Sequence, residues 1–373
     1  MHPRAAYIHV PFCLRRCGYC NFTVMAGRDD LVESYLQAME RELSWLETPR
    51  EVDTLFFGGG TPTYLRPAQL QRLIALARTW FPLAAGYEFS VEANPADLRS
   101  EQVDVLVQGG VNRISLGVQS FDDGKLAVLE RDHRRREIER AWDLVANRFS
   151  SVAIDLIFAA PGETPETWRA DLQAALDKAP AHLSTYGLTF DKGAAFWGRR
   201  ERGQLRAVDE EAEREMYELT IETLTQAGFE HYEVSNFARS GQRCRQNVTY
   251  WQGGSYFAAG PGAARFVAGW RETNHRSTST YLKRVLAGCS PVAERERLGP
   301  ADAARERLVF GLRMLEGVER ARFREQTGFA VEDLVGAVLP DILQLGFLED
   351  IDDRLRLTRR GLLVSDSIWP SFL

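Results

Sequence analysis

Six short apolar runs mark the first half of the chain: YIHV (7–10), DTLFF (53–57), YEFSVEA (87–93), RISLGV (113–118), SVAIDLIF (151–158) and HLSTYGLTF (182–190). Their β-branched and aromatic content predicts buried strands. Between them lie DDLVESYLQAMERELSWLE, PAQLQRLIALARTWF, SEQVDVLVQGG, EIERAWDLVANRF and PETWRADLQAALDKA, several with apolar residues three and four apart. That spacing predicts helices with one apolar face. Strand followed by helix, repeated along the chain, implies a parallel sheet with right-handed crossovers. Six units fall short of a closed eight-stranded barrel, so a partial barrel and an open doubly wound sheet both fit. In either one, chemistry collects at the C-terminal ends of the strands.

The second half reads differently. A striped helix, EEAEREMYELTIETLTQAGF (210–229), leads into an irregular region holding RQNVTYW and the Gly/Ala-rich GGSYFAAGPGAA. AGCSPVAERERLGP, with Pro291 and Pro300, reads as a linker, dividing the chain into 1–290 and 291–373. ARERLVFGLRML, VEDLVGAVLPDILQLGF and the hairpin-like FLEDIDDRLRLT then predict a small winged-helix-like α+β domain. The wing would carry EDIDD, which repels phosphate, so this tail is expected to pack against protein rather than bind nucleic acid.

Composition narrows the chemistry. With 373 residues, 45% hydrophobic content and eight tryptophans, the chain can build one large domain and a small one. A net charge of -6 gives no electrostatic footprint for nucleic acid. The opening MHPRAAYIHV has no signal-like pattern and no run of 18 apolar residues occurs, so the expectation is a cytoplasmic protein without a membrane span. In a reducing compartment, five cysteines argue for metal or redox chemistry rather than a disulfide framework.

Three of those cysteines, Cys13, Cys17 and Cys20, fall within HVPFCLRRCGYCNF, directly after the first predicted strand. Three thiolates spaced CxxxCxxC can ligate three irons of a 4Fe-4S cluster and leave the fourth iron open. Zinc is the alternative, with His9 as fourth ligand, although tetrahedral zinc sites usually pair two separated CxxC units. Other polar residues stand at strand ends. Gly58, Gly59 and Gly60 remove side chains where a backbone could approach a ligand, Glu92 and Gln119 end their strands, and Asp155 sits inside an apolar run. Taken singly, each reads equally well as a satisfied structural group.

Together these motifs carry a resemblance. CxxxCxxC after the first strand, with Tyr19 before the last cysteine, resembles the signature of the radical S-adenosylmethionine (SAM) proteins. YIHVPFC, FFGGGTPTYL, EANP, GVQSFD, the strand bearing Asp155 and the segment from YEVSNFA to YW are similar to the oxygen-independent coproporphyrinogen III oxidase-like family, from Tyr7 to the tail. The resemblance implies a partial (βα)6 barrel with a C-terminal winged-helix-like domain. It also implies a 4Fe-4S cluster on Cys13, Cys17 and Cys20, with SAM chelating the open iron. Gly58, Gly59, Gly60 and Thr61 would lie along its methionyl end, Glu92, Gln119, Arg131 and Asp155 would contact it, and Tyr7 and Tyr19 would lie near it.

Two departures point within the family to its HemW, haem-chaperone type. Phe22 stands where the oxidases have a further cysteine, and six residues precede Tyr7 where they have an N-terminal extension. The resemblance therefore implies a protein that binds cluster and SAM and handles haem or a related tetrapyrrole. The alternative is a radical enzyme acting on a porphyrinogen through a 5′-deoxyadenosyl radical. Further implied partners are an electron donor, a haem-recipient protein and a peripheral membrane contact. In the HemW type an HNxxYW pattern supplies a histidine for haem, but here Gln246 takes its place and an amide is a poor iron ligand. Asn247, Tyr250 and Trp251 remain. Cys244, two residues earlier, could replace the donor if the segment is extended, with His231 and His275 behind it.

Overall fold

The computed structural model describes residues 2–373. Each apolar run becomes a strand: β1 (Ala5–Val10), β2 (Val52–Gly59), β3 (Leu83–Ala93), β4 (Arg113–Gln119), β5 (Ser151–Phe158) and β6 (His182–Gly187). They pair in that order, all parallel, as short strands joined by helical crossovers must. The crossovers include α1 (Val32–Ser44), α2 (Pro67–Trp80), α3 (Ser100–Gln108), α4 (Arg135–Val145) and α5 (Pro165–Asp177); α6 (Glu210–Gln226) follows β6.

Three strands too short to show in the apolar pattern extend this sheet to nine. The hairpin β7 (Glu230–Glu233) and β8 (Asn236–Ala238) adds antiparallel to β6, and β9 (Phe257–Ala259) adds parallel outside β1. Between them runs α7 (Arg245–Trp251). Its N-terminus rests on the Glu88 carboxylate, which accepts from the backbone N–H of Arg245 at 3.1 Å and of Gln246 at 3.4 Å. A carboxylate at the positive end of a helix is a favourable closure.

The two faces of the sheet differ. Ile8, Leu55, Phe57, Phe89, Val91, Ile114, Leu116 and Ile154 share one core with Leu36, Leu73 and Trp168 of the helices. The alternate positions, on the opposite face, are largely polar: Tyr7, His9, Thr54, Glu88, Ser90, Glu92, Arg113, Ser115, Asp155 and Ser184. Asp155 is thus one of a polar set and not an isolated charge in an apolar strand.

Beyond β9 the irregular region folds into a three-stranded antiparallel sheet, β10 (Ala264–Val267), β11 (Trp270–Asn274) and β12 (Val292–Glu296), with α8 (Thr278–Leu286) between the last two. β12 lies past Pro291 yet pairs back onto β11, while a second apolar core begins at Ala304. That core gathers Leu308 and Leu312 of α9 (Pro300–Arg313) with Phe323, Leu339, Leu355 and Trp369. The wing is the hairpin of β14 (Leu348–Ile351) and β15 (Arg354–Leu357), with β13 (Val318–Glu319) on the far side of β15. Asp352 and Asp353 turn it at φ 52° and 63°, as a two-residue hairpin requires. Its acids are used internally: Asp350 pairs with Arg320 at 2.6 Å and Glu349 with Arg356 at 2.6 Å.

One buried network fixes the segment after β4. Asp171 of α5 accepts from Ser120 Oγ at 2.6 Å, Phe121 N at 2.7 Å and Lys125 Nζ at 3.0 Å, and Lys125 also pairs with buried Glu163. This segment carries Gln119 at one end and Arg131 at the other. Replacing Asp171 by Ala leaves Ser120 and Phe121 without their acceptor and Lys125 with Glu163 alone, so urea unfolding should show a loss of about 2–4 kcal/mol. A loss well under 1 kcal/mol would mean that solvent already screens this network.

Candidate cluster and cofactor site

The loop bearing Cys13, Cys17 and Cys20 leaves the C-terminal end of β1, and the end of β2 grips its start. Gly60 N donates to Val10 O at 2.8 Å and Thr61 N to Phe12 O at 2.8 Å. A side chain at Gly60 would sit 2.6–2.7 Å from Phe12 O and Val10 O. Gly59, at φ +107°, lies against the His9 ring and donates its N–H to Glu92 Oε2 at 3.0 Å. The glycine run therefore holds loop, strand and carboxylate at one backbone edge.

The thiols have named neighbours. Cys13 Sγ lies 3.5 Å from Thr61 Oγ1, and Arg131 Nη1 donates to Cys17 Sγ at 3.2 Å. Arg131 also reaches Tyr19 Oη at 3.4 Å, Asn94 Oδ1 at 3.1 Å and Gly117 O at 3.1 Å. Its buried Nε has no partner among the described residues. Tyr19 packs edge-on against Phe196, whose backbone N–H donates to Gly18 O at 2.8 Å. Burial pushes the Cys13 thiol up to about 12 and raises that of Cys20. Iron binding at this loop must therefore displace protons.

The carboxylates complete the mouth. Ser115 Oγ donates to Asp155 at 3.1 Å, and burial raises the Asp155 carboxyl. Burial, then the nearby Asp155 charge, lifts Glu92 to about 7. Gln119 ends β4 at φ 67°, a left-handed conformation that costs a non-glycine residue about 1–3 kcal/mol and recurs at functional sites. Two carboxylates held at a disadvantage, an unpartnered guanidinium N–H and a cradle emptied of side chains fit an amphoteric ligand with ammonium and carboxylate ends. Three thiols on one adjoining loop fit the cluster. On the same mouth Tyr7 Oη donates to His9 Nδ1 at 3.2 Å, while His9 Nε2 donates to Thr23 O at 2.8 Å. Both ring nitrogens are engaged, so His9 offers no lone pair as the fourth ligand of a zinc ion.

Cys13, Cys17, Cys20, Tyr7, Tyr19, Gly58, Gly59, Gly60, Thr61, Glu92, Gln119, Arg131 and Asp155 are thus brought to one end of the sheet. Asn94 belongs with them, and no local pattern in the sequence marks it. Its Oδ1 accepts from Arg131, and its Nδ2 donates to Asp132 at 3.0 Å. The EANP motif contains it, but nothing local tells that its side chain reaches a residue 37 positions away.

The RQNVTYW segment corrects an expectation. It is helical, not extended, so the spacing of two no longer sets Cys244 and Gln246 side by side. Cys244 is 3% exposed with its Sγ 3.8 Å from Glu88 Oε1, and burial pushes its thiol up to about 12. Gln246 is also buried. Its Oε1 accepts from Thr54 Oγ1 at 2.6 Å and its Nε2 donates to Tyr250 Oη at 2.8 Å. Asn247 is half-buried on α7, His231 stacks on Phe237 at 4.1 Å beyond β6, and His275 follows β11. Tyr250 and Trp251 line a cavity of about 1000 Å³ that reaches Tyr7 and His9 of the mouth and is bounded by the hairpin sheet and α9.

Residues 7–175 match the radical SAM superfamily and residues 298–364 the HemN C-terminal domain. The chain is 33% identical to the Bacillus subtilis protein named Heme chaperone HemW, over 99% of each chain. It is 37% identical to the Mycobacterium tuberculosis protein of that name, over 100% of this chain and 95% of the relative. Among solved structures, Escherichia coli coproporphyrinogen III oxidase (HemN), a radical SAM enzyme, superposes with a TM-score of 0.87 at 24% identity, over 100% of this chain and 90% of that one. That likeness shares the fold.

Substituting Cys13, Cys17 or Cys20 by Ala should each abolish the brown 4Fe-4S absorption after anaerobic reconstitution, whereas Cys244→Ala and Cys289→Ala should keep it. Equal loss in Cys244→Ala would sink the assignment. A second outcome follows from Glu92. Its folded value lies above the ordinary carboxyl value, so the stability tied to its protonation is present in acid and lost as pH rises towards about 7. Ligand-free Glu92→Gln should melt above the native chain at pH 8, by an equivalent of up to about 3 kcal/mol, with the gap closing by pH 4. An equal gap at both pH values would mean that charge is not the cause.

Proposed function

The chain belongs to the HemW family within the radical SAM superfamily, and we propose that it is a haem chaperone whose Cys13, Cys17 and Cys20 hold a 4Fe-4S cluster with SAM beside it. The observation that carries this is the convergence on one mouth of the cysteine loop, the Gly59–Glu92 contact and Arg131. Cys13, Cys17 and Cys20 would anchor three irons. Glu92 and the Gly59 edge would receive the ammonium of SAM, and Arg131 Nε, otherwise without a partner, would receive a carboxylate. A reduced cluster with SAM supplies one-electron chemistry at a sulfonium.

The chaperone reading over an oxidase reading draws on the full-length relatives named for that role and on Phe22, which is 66% exposed where the oxidases have a further cysteine. Haem handling enters from those names. Gln246 is committed to Thr54 and Tyr250, so haem would have to be held by groups other than position 246.

The test uses the anaerobically reconstituted chain with SAM. Haemin should stay bound through gel filtration and pass to apomyoglobin, while coproporphyrinogen III incubated with SAM and dithionite should remain unconverted. Sustained decarboxylation of coproporphyrinogen, with 5′-deoxyadenosine formed in step, would replace this reading with the enzymatic one.

A further inference from the structure

Arg131 serves two parts of the mouth at once. Its Nη1 donates to Cys17 Sγ at 3.2 Å, and its Nε, without a partner among the described residues, is the donor given above to a SAM carboxylate. A guanidinium is a rigid planar fork, so whatever holds its third nitrogen sets the direction of the other two. Nη2 donates to Gly117 O at 3.1 Å and to Asn94 Oδ1 at 3.1 Å. The first acceptor is main chain, fixed by β4. The second ends a side chain, and its surroundings decide whether it can turn.

They leave it one orientation. Asn94 is 7% exposed, and its Nδ2 donates to Asp132 Oδ1 at 3.0 Å and Oδ2 at 3.1 Å. Its Oδ1 faces two donors, Arg131 Nη2 and His133 Nδ1, the latter at 3.0 Å. Turning the amide over would set its NH2 against the guanidinium and its oxygen against the carboxylate. The orientation that survives requires a hydrogen on His133 Nδ1. Burial opposes the charge on Asp132, yet hydrogen bonds with His133 and Asn94 hold its carboxyl at about 2, so the anion that fixes Nδ2 persists at neutral pH.

His133 completes the frame. Its ring is fully buried, and Nε2 lies 2.9 Å from Val118 O near the end of β4. One imidazole thus spans Asn94 of EANP, which follows β3, and Val118 of GVQSF, which ends β4. Asn94 N donates to Thr63 Oγ1 at 3.4 Å, just past the glycine run. Three motifs therefore meet behind Arg131 at one amide, and no step given to the cluster or to SAM uses His133.

We propose that Asn94 and His133 are positioning residues for Arg131, holding its fork so that one cation serves the Cys17 thiolate and a SAM carboxylate together. The inference rests on the cluster and SAM reading and deepens it. A charged hydrogen bond to a ligating sulfur favours the more negative, reduced cluster and so raises its potential. A fork turned away from Cys17 lowers that potential and also misses the carboxylate. His133 therefore controls two observables whose groups it does not touch.

The experiment reconstitutes the full chain anaerobically, measures the midpoint potential of the SAM-free cluster by EPR-monitored redox titration, and measures SAM binding by equilibrium dialysis. His133→Asn places an amide N–H where Nδ1 stands and should keep both values near native. His133→Gln places it where Nε2 stands. That variant should shift the reduction equilibrium about tenfold towards the oxidised cluster, about 59 mV for one electron, and weaken SAM about tenfold. In an Arg131→Lys background the same exchange should add nothing, because the fork it aims is gone. Asn94→Ala should reproduce the shift; since it also strips Asp132 of its amide donor, melting temperature and cluster absorption are followed in parallel, and the two His133 variants decide where it does not fold. Native potential and SAM affinity in a folded His133→Gln, or an equal shift with and without the Arg131 fork, overturns the positioning role and leaves the cluster and SAM reading standing. Equal losses in His133→Asn and His133→Gln, tracking melting temperature, overturn it as well. A native chain that takes up no cluster or no SAM overturns both.

Discussion

A parallel sheet whose two faces have opposite character is the constraint on which the rest depends. Sheets of this kind usually bury apolar residues on both faces. Here one face is apolar and packs under the helices, while the other turns Glu88, Glu92, Arg113, Asp155 and their neighbours inward. Polar groups withdrawn from water are costly unless partnered. That requirement explains why Glu88 caps α7, why Gln246 bridges Thr54 and Tyr250, and why Arg113 reaches Ser151 Oγ at 2.9 Å.

At the opposite end the same requirement is left incompletely met. Glu92 has one backbone donor, Asp155 is held by hydroxyls, and Arg131 keeps an N–H without an acceptor. A mouth that gathers two carboxylates and a guanidinium short of partners is organised to receive a charged ligand there. The Asp171 network holds the start and middle of the segment that runs from Gln119 to Arg131, at Ser120, Phe121 and Lys125, so stability and the placing of Gln119 are coupled through one buried carboxylate.

The cavity beside Tyr250 and Trp251 follows a different logic. It is built from elements late in the chain, the hairpin sheet and α9, laid over the edge of β1 and the end of the cysteine loop. Phe22 and Thr23 belong to the loop that would carry the cluster and also to the cavity wall. A change in that loop therefore meets the cavity directly, by contact and not through a chain of intermediates.

The amino-acid sequence alone determined the six parallel strands, their helices and the cysteine loop, while the other residues expected at the mouth came from the family resemblance that its motifs carry. Periodicity and spacing are local, and CxxxCxxC, GGGTP and EANP each lie within a few residues. It also determined the wing, because two aspartates between alternating apolar residues are a local turn signal. Only the tertiary structure decided what lies across the chain. The three short strands β7, β8 and β9 exist because the sheet edges offer unpaired backbone groups, not because their own sequences demand it. The helical state of RQNVTYW depends on Glu88, a residue 157 positions from Arg245, and that state is what separates Cys244 from the place a thiolate donor would need. Asn94 beside Arg131 and the cavity around Tyr250 and Trp251 were invisible for the same reason. Such contacts join distant segments, and no periodicity records them.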